Sequence, residues 1–433
     1  MNTESTQVNS WAYLVDGLRT PFLKARGPGN PFSAADLAVA AGRSLLLRQP
    51  FAPSQLDEVI LGCVVPAADE ANIARVAALR MGCGPGVTAW TVQRNCASGM
   101  QAVDSAVRHI MAGQAHLILA GGVEAMSHAP LQLDAPFTDW LVGLRACRGW
   151  RQKLTHLRRM PLPRPFPVLL KGLKDPIIGL SMGQTAEHLA HRFGIDRAAM
   201  DAYALASHLR AARAMREGHL KDEEVMLADK SGRVQAADDG PRPDSTLEKL
   251  ATLPPVFDRP WGRITAGNSA QVSDGACWLL LASPRAVAEY NLTPLARVSP
   301  AAWAGLAPEN MGLGPVHAMA RLLAEHHLAP QDVDAWEINE AFAAQVLACQ
   351  RAMADESYCQ TEIGLPGALG EIPEERLNVD GGAIALGHPV GASGARIVLH
   401  LARLLARVGG GRGVASLCIG GGQGGAMLVE NAA

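Results

Sequence analysis

The chain lacks any long apolar run: no segment stays hydrophobic for the ~18 residues that a membrane-spanning helix requires, although 48% of its 433 residues are hydrophobic. Residues 1–7 also lack the basic region and apolar stretch of a secretory leader, so the expected location is cytoplasmic. Net charge is nearly absent, and at −2 it argues against nucleic acid as the general partner. Cysteine occurs without the pattern of a framework. The eight, at 63, 83, 96, 147, 277, 349, 359 and 418, have neither disulfide density nor a CxxC or His/Cys cluster suited to zinc. A reducing compartment and no metal are expected. The triple glycine after Cys418 lacks the Lys-Ser/Thr of a phosphate loop and the spacing of a dinucleotide fingerprint, which sets nucleotide hydrolysis aside.

Three reactive side chains sit in glycine-rich settings. Cys96 lies in Gln93-Arg94-Asn95-Cys96-Ala97-Ser98-Gly99, His388 in Gly387-His388-Pro389-Val390-Gly391-Ala392-Ser393-Gly394, and Cys418 precedes Ile419-Gly420-Gly421-Gly422. Glycine permits positive φ and lets a ligand approach the main chain, so these places point to one crowded, turn-built site. Cys63, Cys277 and Cys349, among small apolar neighbours, read instead as inert core residues. His388 taken alone could merely end a strand, and Asn339-Glu340 alone could be a helix N-cap with a first-turn acid.

The length allows two or three domains. An internal echo divides it: residues 55–62 resemble residues 331–339, each a polar turn leading into a short apolar run. The turn around Cys96 precedes a helix over 99–112 and a strand over 117–120 that ends at Gly121-Gly122; the turn around His388 precedes a helix over 395–408 and a strand over 413–419. Helices alternating with short, continuously apolar strands predict an α/β fold of two pseudo-repeated βαβ-type halves, with mostly parallel sheets covered by helices. The expected domains are 1–292, interrupted by a loop domain over 131–250, and 293–433.

The insertion differs in composition. Pro161, Pro163, Pro165 and Pro167 exclude a regular helix, and residues 141–180 carry nine Lys/Arg against one acid, Asp175. Leu141, Leu144, Cys147, Trp150, Leu154 and Leu157 recur at spacings of three and four, so residues 141–157 read as one amphipathic basic helix. Attraction of CoA phosphates, an anionic membrane surface, an α-type partner subunit and a plain charged lid are its competing roles.

Taken together, the Cys96 segment, Asn339-Glu340-Ala341-Phe342-Ala343, Gly387-His388-Pro389 and Cys418-Ile419-Gly420-Gly421-Gly422 resemble the four signature blocks of thiolases, the enzymes that cleave or form 3-ketoacyl-CoA. The resemblance extends over nearly the whole chain, through Met182-Gly183-Gln184-Thr185-Ala186-Glu187 and Thr265-Ala266-Gly267-Asn268-Ser269. It implies coenzyme A as co-substrate with no tightly bound cofactor, and a homodimer or dimer of dimers. It also implies that Cys96 is the acyl acceptor, that Cys418 moves a proton at carbon, and that His388 activates Cys96. A water held by Asn339 would help His388 bind the enolate oxygen, and the N–H groups of Cys96 and Gly420 would form a second oxyanion hole. A thiol's ordinary pKa of ~8.5, lowered at a helix N-terminus or beside a histidine, suits the first role. Met182, Phe257, Ala266, Ala270, Met311 and Phe342 would line the pantetheine and acyl path.

The insertion and the acidic segment 355–376 look like β-subunits of trifunctional fatty-acid-oxidising complexes, although such subunits usually carry His where this chain has Asn339. Many short-chain thiolases read Asn-Ala-Ser-Gly where this chain has Asn268-Ser269-Ala270-Gln271. The expected activity is thiolytic cleavage of 3-ketoacyl-CoA in fatty-acid β-oxidation. Acetoacetyl-CoA-forming acetyltransferase activity is the alternative within the fold, and a catalytically silent lipid-binding or assembly scaffold is the alternative of another class.

Overall fold

A computed structural model describes residues 11–25 and 30–432. The echo in the sequence is an echo in structure: the 3₁₀ turns Pro53–Gln55 and Pro330–Asp332 introduce the strands Glu58–Gly62 and Ala335–Ile338. In each turn the proline occupies the first position, where its fixed φ suits the turn and its missing N–H is not needed.

One sheet runs through the molecule in the order Ala335–Ile338, Arg412–Ile419, Gln423–Asn431, Ala296–Val298, Ala12–Arg19, Ser273–Ala282, Leu117–Ala125, Glu58–Gly62, Thr88–Val92. Strands joined through a helix return parallel: Glu58–Gly62 pairs in parallel with both of its neighbours, and Ala335–Ile338 with Arg412–Ile419. The inner strands pair antiparallel. Ala12–Arg19 bonds to Ser273–Ala282 of its own half and to Ala296–Val298 of the other, so the two halves share a sheet.

Alternating side chains divide most of the described interior into three large cores, with a small fourth cluster around Ala211, Leu220 and Leu386. On Glu58–Gly62, Val59 and Leu61 pack with residues of the helices Ala34–Leu46 and Ile73–Met81, whereas Ile60 faces Met100, Val103 and Val107. On Arg412–Ile419, Ala415, Leu417 and Ile419 share that second core, while Val414 and Cys418 face a third with Met319 and Val346. Both faces of both halves are therefore covered. The helices Ser98–Met111 and Ser393–Val408 lie between the halves, each contributing to the shared core.

The N-termini of these two helices meet backbone to backbone. A Cβ on Gly99 would lie 2.8 Å from the Gly391 carbonyl oxygen and 2.9 Å from the Ala395 nitrogen, and one on Gly394 would lie 2.6 Å from the Met100 nitrogen. Gly121 and Gly122, which in sequence read as the end of a strand, lie inside the fully buried strand Leu117–Ala125. A Cβ on Gly122 would come within 1.9 Å of the Gly391 oxygen. These glycines serve close approach rather than a turn, a difference that local sequence does not express.

The insertion corrects the single amphipathic helix expected over residues 141–157. The structure has two helices, Ala135–Ala146 and Trp150–Leu157, because the chain folds back at Gly149. Trp140 stacks on His156 and donates its indole N–H to the His156 carbonyl at 3.0 Å, closing the hairpin, while Trp150, Leu154 and Leu157 stay exposed.

Gly122→Ala tests the central contact. Backbone cannot yield as a flexible side chain does, so the variant should lose roughly 1–3 kcal/mol or more in urea unfolding. An unchanged midpoint would mean that strand and loop are less closely apposed than described.

Candidate active site

Cys96 stands on the turn between the strand Thr88–Val92 and the helix Ser98–Met111. Asn95 before it has φ of 44°, a left-handed conformation that asparagine tolerates better than most residues. Ser98 secures the turn: its hydroxyl accepts from the Arg94 N–H at 2.9 Å and donates to the Asn95 carbonyl at 2.7 Å. Gly62 lets the neighbouring strand end press against this turn, since a Cβ there would lie 2.3 Å from the Ser98 carbonyl carbon.

The other half brings its own loops to the same place. Cys418 is near the end of the strand Arg412–Ile419, and the turn that follows uses positive φ at Gly421 and Gly422 to return as Gln423–Asn431. Asn95 donates from Nδ2 to the Gly420 carbonyl at 2.8 Å, tying one half's turn to the other's. The N–H groups of Gly420 and of Cys96 itself act on the Cys96 sulfur. They form a pair of donors from two halves of the chain.

His388 carries a defined tautomer. Its Nδ1 is 2.7 Å from Ser393 Oγ, and that hydroxyl is 3.0 Å from the Pro389 carbonyl, which can only accept. The serine proton therefore goes to Pro389, Nδ1–H donates to serine, and Nε2 presents a bare lone pair. Nε2 has no protein partner, nor does either amide atom of the fully buried Asn339. A buried polar atom without a protein partner is set up to meet water or ligand. Asn339 and Glu340 do not cap a helix, because the next helix is Ala343–Ala354 with Phe342 at its N-cap. Glu340 is instead a structural junction, accepting from Ser207 Oγ, Tyr203 Oη, Asn378 Nδ2 and the Ile384 N–H.

Burial sets the resting charge state. It raises the Cys96 thiol above its ordinary value, with the two N–H groups acting against it, and it raises Cys418 further, helped by the neighbouring Cys96. Burial lowers His388 to about 4, and the Arg396 charge adds to the effect. The expected lowering of the Cys96 pKa by helix and histidine is thus overturned: desolvation outweighs the N–H groups of Gly420 and Cys96. At neutral pH the site rests as two thiols and a neutral imidazole.

Two cavities meet at Cys96. The first, of about 230 Å³, is lined by His388 and Cys418 together with Met182, Phe257, Ala270, Met311 and Phe342. The second, of about 310 Å³, holds neither His388 nor Cys418 in its lining. Cys96, Met126, Leu173, Met182, Val390 and Gly420 line both. Of the residues singled out from sequence, Ala266 is exposed on its turn and Asn339 is fully buried, and neither belongs to the lining of either cavity. Sequence reasoning missed Met126, Ser393 and Val390, and it missed the walls that the insertion supplies. Leu169, Leu173 and Ile177 return from the basic segment to the second cavity. The signal for Ser393 was its place five residues after His388, at the first position of the following helix. Ser269 donates its hydroxyl to the Thr265 carbonyl at 2.7 Å and lines the first cavity.

Comparison with known proteins agrees with this arrangement. The family model for the thiolase N-terminal domain matches residues 12–285, and that for the thiolase C-terminal domain matches residues 292–431. The chain is 41% identical over 428 residues to the β-ketoadipyl-CoA thiolase of Pseudomonas aeruginosa, with 96% of this chain and 98% of that protein covered. It is 37% identical over 425 residues to the mitochondrial 3-ketoacyl-CoA thiolase of Rattus norvegicus, with 97% and 98% covered. The crystal structure of human mitochondrial 3-ketoacyl-CoA thiolase in complex with CoA aligns over 98% of each chain with a TM-score of 0.85 at 36% identity.

The raised thiol yields a pH prediction. A group whose pKa lies above its ordinary value is deprotonated later as pH rises, so iodoacetamide modification of Cys96, followed by peptide mass mapping, should keep accelerating into the alkaline range. A plateau reached below neutrality would show a preformed thiolate–imidazolium pair and contradict the resting state described here.

Proposed function

The chain belongs to the thiolase family, and on that premise we propose that it cleaves a 3-ketoacyl-CoA with free coenzyme A, giving acetyl-CoA and an acyl-CoA two carbons shorter. The observation that carries this reading is the junction of two cavities at one nucleophile. A 3-ketoacyl thioester has a tail on one side of its keto carbon and the thioester on the other, so cleavage between them calls for a site open in two directions.

The steps follow from the groups present. Nε2 of His388 takes the Cys96 proton as sulfur attacks the keto carbon, and the oxyanion that forms meets the N–H groups of Cys96 and Gly420. One well-placed donor of this kind is worth ~3 kcal/mol in the transition state. The C2–C3 bond then breaks, leaving the shortened acyl group on Cys96 and an enolate of acetyl-CoA. Nε2–H of His388, with a water held by Asn339, stabilises the enolate oxygen, and Cys418 gives its proton to carbon. The raised pKa of Cys418 keeps it protonated and ready to donate. Free CoA then gives its thiol proton to the Cys418 thiolate and takes the acyl group from Cys96, whose sulfur recovers its proton from Nε2 of His388.

The tail that this protein takes is an unsubstituted alkyl chain, the substrate type of fatty-acid β-oxidation. Val64, Val65, Leu169, Leu173, Pro176 and Ile177 give the second cavity mostly apolar walls. A second reading, a tail ending in carboxylate as in 3-ketoadipyl-CoA, rests on Lys174 in the same lining. Asp175 beside it is engaged with its own turn, its Oδ1 accepting from the Ile177 and Ile178 N–H groups.

Two experiments test these assignments. Cys96→Ala should form no acetyl adduct with acetyl-CoA by intact-mass spectrometry, whereas Cys418→Ala should acetylate and then fail at the carbon–carbon step; an adduct that persists without Cys96 names the wrong nucleophile. Separately, kcat/KM for 3-ketooctanoyl-CoA should exceed that for 3-ketoadipyl-CoA by roughly tenfold or more, since burying an unpaired carboxylate against apolar walls costs at least ~1.4 kcal/mol. The opposite order, abolished by Lys174→Gln, would establish the dicarboxylate reading.

A further inference from the structure

Next to the reacting centre runs a chain of buried ionic groups that the proposed chemistry does not use. Arg19, fully buried, reaches Glu223, Asp238 and Glu224, each at 2.7 Å. The other oxygen of Glu223 lies 3.0 Å from His400 Nδ1, and His400 Nε2 lies 3.4 Å from Asp380 and 4.0 Å from Glu337. Glu337 in turn accepts from Arg396 Nη1 at 3.1 Å, with both side chains almost fully buried. Ionic groups taken out of water incur a desolvation penalty that their mutual attraction offsets only in part, and well-packed apolar residues of the same volume often hold a fold as well. Stability alone therefore gives no reason for this pair.

Its position does. Glu337 is on the strand Ala335–Ile338, two residues before Asn339, whose own N–H bonds to the Ser416 carbonyl at 2.9 Å. Arg396 is three residues beyond Ser393 on the helix Ser393–Val408, hence on the same face one turn along, and Ser393 orients His388. The ion pair joins the strand that ends in one working residue to the helix that begins by holding the other. We propose that Glu337 and Arg396 are positioning residues, a buried clamp that fixes Asn339 and His388 relative to each other across the reacting carbon. The proposal rests on the reading of Asn339 and His388 given above.

The charged groups around the clamp come from several elements: Glu340 after the strand, Asp380 from the loop before Gly381, His400 from the helix and Glu223 from the segment between the halves. At His388 the charged neighbour is Arg396, while Cys96 and Cys418 share its cavity. A cation disfavours protonation of a nearby imidazole, so removing Arg396 should raise the His388 titration.

The test compares Arg396→Gln, Arg396→Lys, the pair exchange Glu337→Gln/Arg396→Met, and Arg407→Gln, which touches Asp380 on a side branch of the same network without contacting Glu337 or Arg396. Arg396→Gln should lower kcat for thiolysis by about tenfold or more while KM for CoA stays within about twofold. It should also move the acid limb of kcat/KM, and the NMR titration of His388, to higher pH. Arg396→Lys should restore part of each effect. The pair exchange should recover thermal stability without recovering kcat, and Arg407→Gln should lose stability alone. If Arg396→Gln does not fold, the charge-balanced pair exchange carries the kcat comparison. Recovery of kcat together with stability in the exchange, or an unmoved His388 titration in Arg396→Gln, would reduce the clamp to packing and overturn the proposal. The NMR titration needs no substrate, so inactivity of the wild type toward every 3-ketoacyl-CoA would count against the proposed function and leave the clamp to be judged by His388 alone.

Discussion

Contact between two helix N-termini without intervening side chains is the constraint on which the rest of the structure depends. Gly99 and Gly122 on one half meet the Gly391 carbonyl of the other, and Gly394 meets the backbone of Met100. Cys96 lies three residues before the first of these glycines and His388 three residues before Gly391. Backbones that approach this closely leave the turns above them no freedom to separate. The reacting groups thus inherit their spacing from the packing of the core, and the tie from Asn95 to the Gly420 carbonyl extends the same registration to the oxyanion donors.

The electrostatics follow from that enclosure. Burial raises both thiols and lowers the imidazole, so these three groups are uncharged at rest. In the proposed reaction the N–H groups of Cys96 and Gly420 are the fixed dipoles that would meet the developing oxyanion without reorganisation. Around this neutral centre the protein places permanent charge in a separate buried network, where His400 is held protonated, up to about 10, by Glu223, Asp380 and Glu337 in spite of burial. On the proposed reading neutral groups react and charged groups hold them, with Arg396 at the boundary.

Much of this was legible in the sequence because it is local. The echo of the two halves, the central helices and the three glycine-flanked reactive residues come from periodicity and composition. The strand Leu117–Ala125 was cut short at Gly121 because a glycine that allows close approach and a glycine that turns the chain look alike without the partner strand. The direction of the Cys96 pKa was misjudged because a helix terminus is visible in sequence and desolvation is not. Leu169, Leu173 and Ile177 belonged to a segment whose charge drew attention to its outer surface, yet these residues form the wall over Cys96. The spacing of Ser393 from His388 is visible in sequence, but its role depends on a hydrogen bond to the Pro389 carbonyl that sequence does not express.

The central claim is that one thiol from each half stands at a single reacting centre. Treatment with dibromoacetone, a short reagent with two thiol-reactive ends, followed by proteolysis and peptide mass mapping, tests it most directly. The account predicts a covalent bridge between the peptides of Cys96 and Cys418, suppressed by prior acylation of Cys96. Modification of Cys96 with the second end hydrolysed, and no bridge to Cys418 under any condition, would contradict it.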